Sequence, residues 1–292
     1  MTGLAVGLVF ASALAHAYWN FLLKRASNQE VFVWWLLAFI GVAFSPLGLA
    51  LILIYPIHNP GWWFVLGTCL LHFFYFLFLG RAYLHEDLSV VYPIARGIGP
   101  ILVPLFAVWL LKESVDIMAI VGIVAVVTGI FTVYWWGRIF LVVRNPLNFF
   151  KGQGIRYAIL TGVVVVGYSV WDKQGVEYVN PFLYMYLCSV GTALLLAPYI
   201  LRKYGFPFLR AEWNGRPINI ITASSMMFLA YGLVLTAFTT SKVSYVAPFR
   251  EVGILVGVLL GIFVLKERFG KGRVLGSLQI VLGLVLIASA PQ

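Results

Sequence analysis

LSVVYPIARG at residues 88–97 lies over VSYVAPFREV at residues 243–252, and this pairing decides how the chain is to be read. The two stretches begin 155 residues apart, and the match runs on through LLKE (110–113) over VLKE (264–267). Gly122 then falls over Gly276 and Gly129 over Gly283, while near the start of each half Trp19-Asn20 lies over Trp171-Asp172. A period of this kind makes the chain two copies of one unit, and motifs are interpreted within that unit.

Composition says what the unit is made of. The 292 residues are 62% hydrophobic and 10% charged, where a soluble domain has roughly a quarter of its residues charged. An integral membrane protein follows. The net charge of +10 could suggest nucleic acid, but that reading needs basic residues on one solvated face or interleaved with exposed aromatics, and here they sit between apolar spans. Cys69 and Cys188 each lie in an apolar run with no second cysteine nearby, which indicates core residues and neither a disulfide framework nor a metal site. No metal or other cofactor is expected. The opening MTGLAVGLVF lacks the basic flank and small-residue cleavage site of a signal peptide, so the first span is expected to stay in the mature chain.

A helix needs ~20 residues to cross ~30 Å of hydrocarbon, and the sequence holds ten segments of that kind, near 3–23, 31–55, 62–84, 88–111, 115–136, 154–172, 181–201, 217–240, 243–265 and 271–290. Each half carries five. An odd number of spans turns the second copy over, so the expected fold is an all-α polytopic membrane protein of ten transmembrane helices in two inverted five-helix repeats. The repeats are placed at 1–137 and 154–292, with a basic cytoplasmic linker at 138–153. Inverted repeats of this type place substrate near the midplane between the halves.

Lysine and arginine mark cytoplasmic loops. The odd-numbered connections with their flanks hold fifteen of the 20 basic residues, from Lys24 and Arg25 to Lys271 and Arg273, against Lys112, Lys173 and Lys242 on the other side. The bias puts both termini outside the cytoplasm and accounts for most of the positive charge without an anionic partner.

At this point the sequence resembles the ten-span, EamA-type branch of the drug/metabolite transporter superfamily. The carriers of the resemblance are the Pro93 and Pro248 segments, each followed by a glycine-rich helix and a lysine-glutamate pair, together with HAYWN at 16–20. The resemblance implies a metabolite carrier of the cell membrane, in bacteria the cytoplasmic membrane, often an exporter of amino acids or related small molecules. It leaves the substrate open.

The candidate site follows from charge at membrane depth. Arg96 lies about seven residues into the fourth span, roughly 10 Å deep at ~1.5 Å per residue, and its counterparts Arg250 and Glu251 are set in from the opposite face. A charge at that depth usually faces protein or water, and arginine suits a carboxylate held bidentately. These residues line a shared cavity, or they form a structural ion pair or snorkel to the interface; both readings stand. His16, Trp19 and Asn20 share a face of the first span at i, i+3 and i+4, and Tyr168, Trp171 and Asp172 repeat that spacing in the sixth. His72 with Tyr75 in the third span, and Ser224 with Tyr231 in the eighth, are weaker stripes of the kind that plain packing also produces. Pro93, Pro100, Pro104 and Pro248 remove backbone donors and are expected to kink their spans. Gly253, Gly257 and Gly261, at four-residue spacing, are expected to form a smooth packing face. Glu251 is the carboxylate placed clearly at membrane depth and the candidate for proton coupling; passive exchange stays open beside it.

The partners expected are a small-molecule substrate and membrane lipids, without nucleic acid, for a monomer or weak homodimer. The chief alternative is a flippase for lipid or polyprenyl-phosphate headgroups. A membrane-embedded enzyme is disfavoured: the one dense polar triplet, His85-Glu86-Asp87, points its side chains around a helix end rather than into a site. No phosphate-binding loop of the Gly-rich, Lys-Ser/Thr type is present, and no filter segment of a channel recurs.

Overall fold

The structure, a computed structural model, describes residues 1–86, 88–136, 152–263 and 270–291, and within its helices leaves aside the side chains of residues 88–90, 92, 257 and 260–263. The proposed linker at 138–153 lies almost wholly outside the described residues. Twelve helices are described: α1 (Gly3–Lys24), α2 (Gln29–Ala43), α3 (Ser45–Ile54), α4 (Gly61–His85), α5 (Leu88–Leu110) and α6 (Ile117–Trp135) in the first half. The second half holds α7 (Gln153–Gly175), α8 (Pro181–Gly215), α9 (Pro217–Thr240), α10 (Val243–Phe249), α11 (Val252–Phe263) and α12 (Lys271–Ser289). Eight of them are long and apolar enough to cross a membrane, and the bent pair α2–α3 makes a ninth. Together α10 and α11 occupy the place of the ninth span of the sequence, so the count is compatible with ten.

Helix starts follow the polar residues of the short connections. Thr2, Asn28, Asp116 and Asn180 each accept a backbone N–H from the first turn of the helix they precede, at 2.8–3.3 Å, which satisfies donors that the helix itself leaves unpaired. Glu113, of the lysine-glutamate pair, does this across the repeats. Its carboxylate accepts the backbone N–H groups of Val243 and Ser244, both at 3.0 Å, and the Ser244 hydroxyl at 2.6 Å. A carboxylate at a helix N-terminus is favoured by the helix dipole as well as by these bonds, so the connection between the fourth and fifth spans fixes where the ninth span begins. Glu267, the repeat counterpart, lies outside the described residues.

Two spans read as single helices are interrupted, and a third runs on past its expected end. The second bends by 57° between α2 and α3, where Pro46 opens α3 and a proline disfavours helical geometry at the residue before it. The ninth breaks at Arg250-Glu251, between α10 and α11, and there Glu251, Gly253 and Ile254 donate to carbonyls three residues back, at 2.9–3.1 Å. The third case is the connection 202–216, which is helical. It prolongs α8 past Gly205, whose φ of 75° suits glycine and turns the chain. Beyond that turn Trp213 packs on Trp35, whose indole N–H donates to Leu209 O at 2.9 Å, while Phe206 and Phe208 are exposed.

The halves are interleaved. α1 packs most extensively on α9 and, as repeat symmetry requires, α7 on α4; α2 packs on α8 and α6 on α12. The last pair meets through the four glycines aligned by the repeat. A Cβ on Gly122 would stand 2.7 Å from Gly283 O, and one on Gly276 would stand 2.6 Å from Gly129 O. Only glycine lets two backbones approach so closely. This seam is the glycine packing that matters, whereas Gly253 makes no more than ordinary contact with Ala13 on α1, and the surroundings of Gly257 and Gly261 lie outside the described residues. The outer faces carry exposed apolar side chains such as Leu53 and Leu194, as a lipid-facing surface should.

Candidate functional site

Between the two halves lies a cavity of about 750 Å³, counting the part open to solvent. On α1 the lining residues are Val9, Ser12, Ala13, His16 and Trp19, a stripe at helical spacing. Facing it are His72, Tyr75 and Phe76 of α4, Arg96 of α5, Tyr168 of α7 and Tyr231 of α9, with Arg250 at the α10–α11 break. Eight of the sequence-derived candidates are thereby brought together: His16, Trp19, His72, Tyr75, Arg96, Tyr168, Tyr231 and Arg250.

Four candidates do not line the cavity. Asn20 turns its amide back to its own helix, donating to His16 O at 2.8 Å. Ser224 is buried and donates to Ile220 O at 2.6 Å. Trp171 lies on the outside, 37% exposed, with its indole N–H on Phe64 O at 2.9 Å and its ring over Gly67 of α4. Glu251 stands behind the wall, 3% exposed, and pairs with Arg96 at 3.7 Å. The prolines expected to kink their spans have different settings. α5 runs unbroken through Pro93, Pro100 and Pro104, which fall within ~60° of arc at ~100° per residue and are all buried, so their missing donors face packed protein. Of these four, Pro248 alone stands beside a break.

Seventh-span residues were not legible as site residues. Met185, Cys188, Ser189 and Thr192 of α8 join the lining, with Leu37 of α2 and Met227 of α9. The signal that could have found them is the CSVGT stretch at 188–192, small and polar within an apolar helix. The cysteine belongs to that polar strip rather than to plain core: Thr68 Oγ1 lies 3.8 Å from Cys188 Sγ.

The two arginines differ in what surrounds them. Arg96 meets Glu251 Oε1 through Nη1 at 3.7 Å and His16 Nε2 through Nη2 at 3.3 Å, and His16 in turn stands edge-on to Trp19 with ring centres 5.0 Å apart. Arg250 has its guanidinium carbon 5.7 Å from the centre of the Tyr231 ring, the geometry of a cation–π contact. Among the described residues its guanidinium has neither an ion-pair partner nor a hydrogen-bond acceptor. Opposite it an aromatic wall closes the site: His72 stacks on Tyr168 at 4.5 Å and meets Tyr231 edge-on at 5.3 Å. The His72 ring is held by Nδ1, which lies 3.0 Å from Thr68 O and 3.1 Å from Thr68 Oγ1. Groups of three or more metal-ligating side chains do not occur among the described residues.

Such an arrangement can hold a small molecule by an acidic group on arginine and by apolar or planar parts on aromatic rings, in a site reached from both halves. Residues 3–135 and 152–289 each match the EamA-like transporter family. The chain belongs to that family and is a multi-pass membrane transporter of small molecules. A solved crystal structure, 16% identical in sequence, superposes with a TM-score of 0.73 over 98% of this chain and 96% of its own, a likeness of fold. A search of curated proteins returns no match.

Proposed function

We propose that the protein is a secondary transporter that carries small polar metabolites, amino acids or related small carboxylates, out across the cytoplasmic membrane by alternating access. The observation that carries this reading is Arg250: a guanidinium on a cavity wall, at a helix break, without a counter-ion among the described residues. A carboxylate would supply the missing charge through charge-assisted hydrogen bonds. Arg96, already held by Glu251, orients rather than anchors. The interleaved, inverted halves supply the two arrangements that alternating access requires, and the charge bias of the loops supports extracytoplasmic termini.

Counterflow of labelled amino acids and small carboxylates in proteoliposomes tests the proposal. Arg250→Ala is expected to cut counterflow of the carried compound on the order of 100-fold, the worth of about two charge-assisted hydrogen bonds, while Arg250→Lys keeps part of it. Unchanged counterflow in Arg250→Ala across the panel would sink the assignment. A reporter fused after Gln292 is expected to be extracytoplasmic, and a cytoplasmic one overturns the orientation.

A further inference from the structure

One buried charge has no part in the site as described. Asp172 is fully buried three residues before the end of α7. Neither of its oxygens reaches a cation within ion-pair distance among the described residues. It accepts hydrogen bonds from two tyrosines, the Tyr231 hydroxyl to Oδ2 at 2.5 Å and the Tyr184 hydroxyl to Oδ1 at 2.8 Å, and the Thr68 hydroxyl also faces it. Glu251 differs, since Arg96 stands beside it. A lone buried carboxylate is costly enough to ask what it does.

Its neighbours connect it to the cavity. Tyr231 lines the cavity and holds Asp172 with its hydroxyl, so one side chain links the carboxylate to the site. Arg250 lies over the face of that same ring. The other ionisable groups that face Asp172 are His72 and Cys69 from α4 and Tyr184 and Cys188 from α8. On its own helix, Tyr168 stacks against His72, and Lys173 is turned away to Phe238 O. From α5, Arg96 is directed to His16 and Glu251. The cation and the carboxylate thus meet the same tyrosine, one over its ring and one at its hydroxyl.

We propose that Asp172 takes up and releases one proton in each transport cycle, so that a small carboxylate on Arg250 and a proton on Asp172 cross together; this rests on the carrier reading given above. With the site empty, Arg250 and Asp172 offset each other across the tyrosine. A substrate carboxylate neutralises Arg250 and leaves Asp172 without a compensating charge, which favours its protonation. Reciprocally, protonation leaves Arg250 uncompensated and favours the anion. In the transfer, Tyr231 passes its hydroxyl proton to Oδ2 and receives one from a hydronium ion in the cavity. One O–H bond forms on Asp172, the one broken on Tyr231 is replaced, and no electrons change hands. Release runs the same steps backwards on the other side. For a monocarboxylate such as lactate the crossing is electroneutral and is driven by the gradient of the acid itself.

The test uses proteoliposomes with a pH dye inside and lactate, succinate and alanine as probes. Wild type is expected to move protons in the same direction as the carried anion. Asp172→Asn, which keeps an acceptor for the tyrosines, is expected to retain anion exchange to within about threefold but to move no protons, while Glu251→Gln still moves them. Proton movement that survives Asp172→Asn, or is lost in Glu251→Gln, overturns the proposal, as does anion transport by wild type without protons. Should none of the probes show counterflow, the carrier reading fails for them on its own. Infrared titration of the purified protein then still decides the proton site: a carboxylic-acid band that appears on acidification and is missing from Asp172→Asn supports it, and a band that is absent from wild type or persists in the variant overturns it.

Discussion

The first and sixth spans carry the same stripe, His16-Trp19-Asn20 in one and Tyr168-Trp171-Asp172 in the other, yet they use opposite flanks of it. His16 and Tyr168 both reach the cavity. In α1 the tryptophan joins them, 6% exposed, and the polar residue turns back on its own helix. In α7 the tryptophan faces outward over Gly67, and the aspartate is buried under two tyrosine hydroxyls. On a helix the two flanking positions stand ~100° apart, so a small difference in how each helix is seated exchanges which of them points inward. Repetition of residues in sequence thus marks the region of a site, while packing chooses the member that serves in each copy.

Mutations can break this contrast. The largest effect is expected for Asp172→Ala, which leaves two buried hydroxyls without their acceptor and should cost about 3 kcal/mol of stability, read from denaturant unfolding in detergent. An effect no larger than that of Asn20→Ala would show the two flanks to be equivalent. Next, Trp19→Ala is expected to lower counterflow about tenfold by opening one wall of the cavity, whereas Trp171→Ala leaves counterflow within about twofold of wild type. Equal losses would place Trp171 in the site after all. Trp171→Phe removes one indole hydrogen bond to Phe64 O and should cost about 1 kcal/mol in the same unfolding measurement. Asn20→Ala is the smallest, below about 1 kcal/mol, since its bond is local to α1.

Much of the fold was legible because it rests on one-dimensional signals: span length, hydropathy and a repeat strong enough to show its register. The site was legible where charge or recurrence stood out against an apolar background, as at Arg96, Arg250 and His16. What stayed hidden depends on facing and on distant partners. Nothing in HAYWN says that Asn20 bonds to its own helix, and nothing in the Arg250-Glu251 pair says that Glu251 will pair with Arg96 from another span and leave its neighbour uncompensated. The polar strip of α8 is built from side chains too ordinary to draw notice. The glycines at 122, 129, 276 and 283 were visible as repeat markers, but their close approach needed the antiparallel pairing of α6 and α12 to be seen.

That pairing limits how the protein can move. Backbones that already stand almost in contact at Gly122–Gly283 and Gly129–Gly276 have no room to slide past one another, because a shift of an ångström drives carbonyls into the facing chain. Relative motion of the halves therefore has to be a swing with this seam as its fulcrum, and the span ends farthest from it sweep the widest arc. Spin-label distances between α6 and α12 are expected to stay fixed through the cycle while those between α5 and the α10–α11 break change; the reverse result would move the fulcrum elsewhere.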